Sequence, residues 1–139
     1  MTTQGEDVLA YLDRAITARE EAARAVGFDT IEAGDYLWGA KYLILRRDDE
    51  SKAAPEMDAS LADHIALNDP SSVLRRCAAD RKLIELHRPQ QTGGGFPDVQ
   101  ECRTCSADSL GNGYQYLMPA PCPSLRALAE GYGRTEGKR

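Results

Sequence analysis

At 139 residues and 15.2 kDa, with 42% apolar and 28% charged side chains, the chain is sized for one domain with a modest core and is too apolar for a disordered one. No apolar run approaches the roughly 20 residues of a membrane span, and M-T-T-Q-G-E-D-V-L lacks the basic start and apolar stretch of a secretory signal; the reading is a cytoplasmic protein with reduced thiols. The net charge of −5 is uneven: residues 1–70 carry 15 acidic and 7 basic side chains, residues 71–139 carry 7 and 10, which disfavours a long nucleic-acid partner but leaves a local contact from the second half open.

The first predicted element is a helix. Leu9, Leu12, Ile16, Ala23 and Val26 recur at three- and four-residue steps and make one apolar stripe, with Arg14, Glu20, Glu21 and Arg24 turned to water. Glu6 and Asp7 suit the positive end of its dipole, and Gly27 its C-terminal cap. Next, D-Y-L-W-G-A-K-Y-L-I-L groups Tyr36, Leu37, Trp38 and Tyr42 to Leu45, too short and Gly-interrupted for a helix, so it predicts one strand or a short hairpin. Trp38, the single tryptophan, is expected to anchor the core. The polar stretch from Arg46 to Pro55 reads as a surface loop.

Two central helices follow. Ser60 to Asn68 is short, with Leu61 and Ile65 four apart. Asp69 and Pro70 supply an N-cap and a first-turn proline for a second helix that runs to His87. At 100° per residue, Val73, Cys77 and Ile84 fall within about 40° of one another, and His87 lies about 60° beyond Ile84. That is an apolar face ending in a histidine. Arg75, Arg76, Arg81, Lys82 and Arg88 share this helix, by default as a solvated face and alternatively as a contact for an acidic partner. The run Q-Q-T-G-G-G-F-P-D-V-Q reads as a connection, not a phosphate loop, because it lacks the G-K-[ST] ending and the strand-to-helix setting. A last helix is expected from Ser124 to about Glu130, followed by a frayed tail.

Three of the four cysteines gather in the last third. Cys102 and Cys105 form C-x-x-C, a spacing that lets two thiolates from one tight turn face a single ion. Cys122 follows after sixteen residues, and Pro123 behind it makes Cys122 the N-cap of the closing helix, where the dipole favours a thiolate. A structural zinc site needs four ligands, and His64, Cys77 and His87 compete for the last place. Cys77 and His87 lie about 15 Å apart along one helix and cannot share an ion. Cys77 fits the core as a small apolar residue. His87 ends its helix with fourteen residues between it and Cys102 and is the chosen fourth ligand, with His64 next. The competing readings are a redox pair, a disulfide, unrelated thiols, and a solvent-facing His87 that merely caps its helix. His64 is more simply a packed or surface histidine, since neighbouring Asp63 points about 100° away on a helix.

The stretches E-D-V-L-A-Y-L-D-R-A-I-T-A-R-E-E-A-A-R-A, H-I-A-L-N-D-P-S-S-V-L-R-R-C-A-A-D-R-K-L-I-E-L-H and P-C-P-S-L-R-A-L-A resemble a family of short actinobacterial and actinophage proteins known only as a domain of unknown function. The resemblance covers most of the chain and brings no activity or catalytic residue with it. It implies that C-x-x-C followed by C-P-[ST]-L-R recurs among relatives, as suits a metal site, with a longer insert here between Cys105 and Cys122. It also implies a phage or prophage source.

The expectation is therefore a mainly α, α+β single domain over residues 1–139. Residues 1–89 form a helical and strand body, 90–131 a connection, zinc-stapled loop and short closing helix, and 132–139 a flexible tail. The expected centre is a closed, structural Zn2+ site of His87, Cys102, Cys105 and Cys122, which leaves no coordination position for substrate. With two histidines and no nucleophile–base or paired-carboxylate pattern, the function expected is a non-enzymatic interaction or regulatory protein, phage-encoded and acting on a host protein partner. A nucleic-acid module built on the basic helix and the zinc knuckle is the alternative, and an enzyme the third reading.

Overall fold

The computed structural model describes residues 4–91, 100–109 and 114–135. In chain order these form α1 (Gln4–Ala25), β1 (Thr30–Asp35), a 3-10 turn (Leu37–Gly39), β2 (Ala40–Arg47), β3 (Glu50–Ala53), β4 (Met57–Asp58), α2 (Ala59–Leu67), α3 (Pro70–Leu86), β5 (Pro89–Gln91), β6 (Gln100–Cys102), β7 (Ala107–Ser109), β8 (Tyr114–Tyr116) and α4 (Pro123–Gly131). The expected mainly helical α+β class holds. Two compact units divide the chain, one of residues 17–78 and the other of residues 1–16 with 79–139. No helix among the described residues is long and apolar enough to cross a membrane.

In the 17–78 unit, β1, β2 and β3 form an antiparallel sheet in that order, and β4 pairs with the start of β2. Thr30 faces Arg46 at one end of the first hairpin and Asp35 faces Lys41 at the other. Gly34 lies opposite Tyr42, whose ring crosses it so closely that a Cβ there would sit 2.6 Å from the ring. Only glycine permits that approach. Helix α2 packs on β1 and β2, burying Ala62 completely, while Leu43 is the buried residue of β2. Asp58 caps α2, its Oδ1 accepting from the Ser60 and Leu61 amides at 2.9 and 3.3 Å. Asp69 performs the expected cap of α3 and more: Oδ1 accepts from Ser72 N at 2.7 Å and Oδ2 from Ile31 N at 3.3 Å. Burial pushes this carboxyl up, but the Ser72 hydroxyl, the Ser72 and Ile31 amides and the charge of Arg75 together outweigh it and hold its pKa below the ordinary value.

Four sequence readings need correction here. The single strand or short hairpin expected over Tyr36 to Leu45 divides into the Leu37–Gly39 turn and β2, the second strand of a hairpin whose first strand, T-I-E-A-G-D, carries too little apolar patterning to be read as one. The expected loop 46–55 is largely a second hairpin, with a two-residue Asp48–Asp49 turn and Asp48 at φ 50, which aspartate tolerates. Its strand β3 is exposed at every position, so no alternation marked it. Trp38 is not a core anchor: it is 99% exposed at the tip of the β1–β2 hairpin, in left-handed backbone at φ 66. Val26, the last residue of the predicted α1 stripe, is 48% exposed because the helix ends at Ala25, just before Gly27 reverses the chain at φ +78.

In the second unit the core joins Val8 and Leu12 of α1 to Cys102, Cys122, Leu125 and Ala129. Val8, missed in the sequence, lies one helical turn before Leu12 and completes its stripe. Tyr132, first residue of the expected tail, donates from its hydroxyl to Asp80 at 2.5 Å and accepts at its carbonyl from the Tyr11 hydroxyl at 3.1 Å. The glycine run 93–95 and residues 136–139 lie outside the described residues.

Candidate metal centre

Three short elements deliver the four predicted ligands. His87 is the residue after α3, and its amide still makes a helical bond to Leu83 O at 3.0 Å. The backbone then enters β5, whose first residue, Pro89, pairs with Cys102 of β6. This pairing sets the first cysteine beside the histidine. Arg103 N donates to Arg88 O at 3.2 Å, and the Thr104 hydroxyl donates to Leu86 O, so the C-x-x-C turn is fastened to the end of α3. Within the turn, Cys105 N points at Cys102 Sγ at 3.4 Å and Ser106 N donates to Cys102 O at 3.1 Å. An amide aimed at the sulfur supports negative charge there, as in metal-binding knuckles. The strand also holds the turn from its other side, through Cys102 N to Met118 O at 2.8 Å.

The last ligand arrives as expected. Cys122 is the N-cap of α4, with extended backbone at φ −70 and ψ 165, Pro123 behind it, and its carbonyl accepting from Arg126 N at 3.1 Å. Its side chain makes no cap hydrogen bond of full geometry and is free to turn toward the other ligands.

The sulfurs of Cys102, Cys105 and Cys122 lie 3.4, 3.3 and 3.5 Å from one atom, His87 Nδ1. All four candidate donor atoms fall within 4.8 Å of one another. A tetrahedral ion with S at about 2.3 Å and N at about 2.05 Å requires N···S edges of about 3.6 Å. The three observed edges fit that figure and are nearly equal, which separate thiols have no reason to be. All four cysteines are free thiols. The donor set therefore fits a metal ion, bound through Nδ1 and leaving Nε2 to carry the ring proton. His64 lies exposed on α2 and is not in the group, and Cys77 is buried at 1% exposure, as expected of a core residue.

Burial shapes the chemistry. Cys102 and Cys122 are fully buried against Leu12, Leu125 and Ala129, and Cys105 is half-buried. Burial, then the thiols and negative charge of Cys102 and Cys122, push Cys105 up to about 11. Burial also pushes Cys122 up, but the Leu125 and Ser124 amides and the neighbouring thiols outweigh it and bring the pKa below the ordinary value of 9.0. A metal must therefore displace the Cys105 proton at every pH below about 11. That step alone makes apparent affinity rise about tenfold per pH unit, and protons must be released on binding. Competition with a chelator of known affinity between pH 6 and 9 measures the slope; a flat profile would remove Cys105 from the ligand set.

Glu101 escaped sequence reasoning. It precedes Cys102, is 6% exposed, and accepts from Gln90 Nε2 at 3.1 Å across the β5–β6 pair, while Oε2 is buried with no hydrogen-bond partner among the described residues. Strand alternation turns it away from the ligand face, so it braces the hairpin and is not a ligand. Only its adjacency to Cys102 could have marked it.

No curated protein and no solved structure matches the chain. A family described as a family of unknown function, DUF6221, matches residues 5–136, and the chain belongs to that family.

Proposed function

We propose that the protein is a zinc-stapled, non-enzymatic interaction or regulatory factor that works on a protein partner in the reducing cytoplasm. The convergence of three sulfurs on His87 Nδ1 carries this reading. Zinc is the ion favoured by three thiolates and one imidazole in a tetrahedron. Four protein ligands close the coordination sphere, so the ion has no place for substrate or activated water and its role is structural. Arg81 of α3 pairs with Asp13 at 3.0 Å, and Arg88, just past the end of that helix, pairs with Glu85 at 2.8 Å, which weakens the case for a nucleic-acid surface there.

Elemental analysis of the untagged protein tests the reading, with one zinc per chain expected. His87→Ala should lose the zinc, and His64→Ala should keep it. A fully folded, metal-free protein would overturn the zinc-stapled reading.

A further inference from the structure

The β1–β2 connection presents apolar side chains that the fold does not use. Trp38 is 99% exposed, Leu37 67% and Tyr36 51%. The connection is nevertheless held in place. Tyr36 N donates to Ala40 O at 3.0 Å, and Ala40 N donates back to Leu37 O. The Tyr36 ring meets Tyr42 edge-on at 6.5 Å, and Tyr42 in turn lies over Gly34. Trp38 and Gly39 take successive left-handed conformations, φ 66 and 76, which point the indole outward. A bulky residue adopts that backbone only where its surroundings impose it, and such positions cluster at functional sites.

The ground around this knob is acidic. Asp35 ends β1 on one side of β2, and Glu56 and Asp58 flank Met57 on the other, where Met57 pairs with Lys41. The cation at this end, Lys41, is bound to Asp63 at 2.6 Å and also feels Asp35, so its charge is already answered. Arg46 and Arg47 lie at the far end of β2, about 20 Å away along the strand. An apolar knob on an acidic base opposes the negative surface of anionic membranes and of nucleic acid.

We infer that Leu37 and Trp38 form a docking knob for a protein partner offering an apolar pocket bordered by lysine or arginine. Trp is the side chain most enriched at binding hot spots, and the acidic border supplies steering and register. This inference rests on the interaction reading above, whose zinc component is read by metal content and not by binding.

The test uses the zinc-loaded full chain as bait for random cyclic peptides displayed on phage, with the Trp38→Ala protein as control. Enriched peptides should combine apolar residues with lysine or arginine, and should shift Trp38 emission to the blue. In anisotropy titrations they should bind Trp38→Ala at least about thirtyfold more weakly, and should weaken with salt and with Asp35→Asn combined with Glu56→Gln. Both sets of changes are at exposed residues, so zinc content should not change. Enrichment without basic residues, equal binding to Trp38→Ala, or no enrichment overturns the inference and leaves the zinc site standing. Trp38-dependent binding to phosphatidylcholine vesicles, or Trp38-dependent self-association in sedimentation, overturns it by naming a different occupant.

Discussion

Zinc removal is expected to unfold the unit built from residues 1–16 and 79–139, with the sharpest loss of order at β5, β6 and α4. The structural zinc of small metal-binding modules contributes roughly 10–16 kcal/mol at neutral pH, and a whole domain is stable by only about 5–15 kcal/mol. Here the candidate ligands Cys102 and Cys122 are themselves members of the apolar core, beside Val8, Leu12, Leu125 and Ala129. Without the ion, mutually repelling or proton-loaded thiols would sit where the core must be tightest. Hydrogen exchange after chelation should show lost protection at Cys102 N, which donates to Met118 O, and at Arg126 N, which donates to Cys122 O. The β1–β2–β3 sheet keeps its own hydrogen bonds and its buried Leu43 and Ala62, and should lose less. Unchanged protection at Cys102 and Arg126 would show that the ion fastens nothing.

The second large effect is Leu12→Ala. Leu12 is fully buried, and truncating such a leucine costs about 2–5 kcal/mol, the lost transfer energy plus the cavity left behind. Because Leu12 shares a cluster with two ligand cysteines, the same substitution should speed zinc loss to a chelator, a coupling that a remote core residue would not show. Leu67→Ala, at a site 75% exposed, is the control and should change stability by less than about 0.5 kcal/mol. Denaturant melts compare the stabilities, and a colorimetric zinc assay reads the release. If Leu12→Ala destabilises while leaving zinc release untouched, core and metal site are energetically separate.

The grouping of His87 with Cys102, Cys105 and Cys122 was legible in the sequence because ligand spacing is chemistry written in one dimension. C-x-x-C, a third cysteine ahead of proline, and a histidine at the end of a helix each carry a local reason to face an ion. His87 could be preferred to Cys77 because helical phase and rise are fixed. The helices were legible for the same reason, since α1 and α3 repeat their apolar positions over several turns. What failed was non-local. Strand β1 is defined by its pairing with β2, and Gly34 by the Tyr42 ring across from it; neither partner is visible from within T-I-E-A-G-D. Trp38 departs from the core position its apolar ring predicts because the turn at Trp38 and Gly39 holds the ring in water. There the sequence obeys a demand other than packing.

The core that joins Val8 and Leu12 to Leu125 and Ala129 also sets an order of assembly. Hairpins β1–β2 and β2–β3 pair neighbours in the chain and can form as soon as they leave the ribosome. Val8 and Leu12 cannot be fully covered until α4 has been synthesised, more than a hundred residues later. During translation the start of α1 therefore shows an apolar stripe whose native cover is incomplete, the interval in which a nascent chain most needs a chaperone. On the proposed zinc reading, metal capture can only follow that interval, because Cys122 is the last of the four candidate donors to be made.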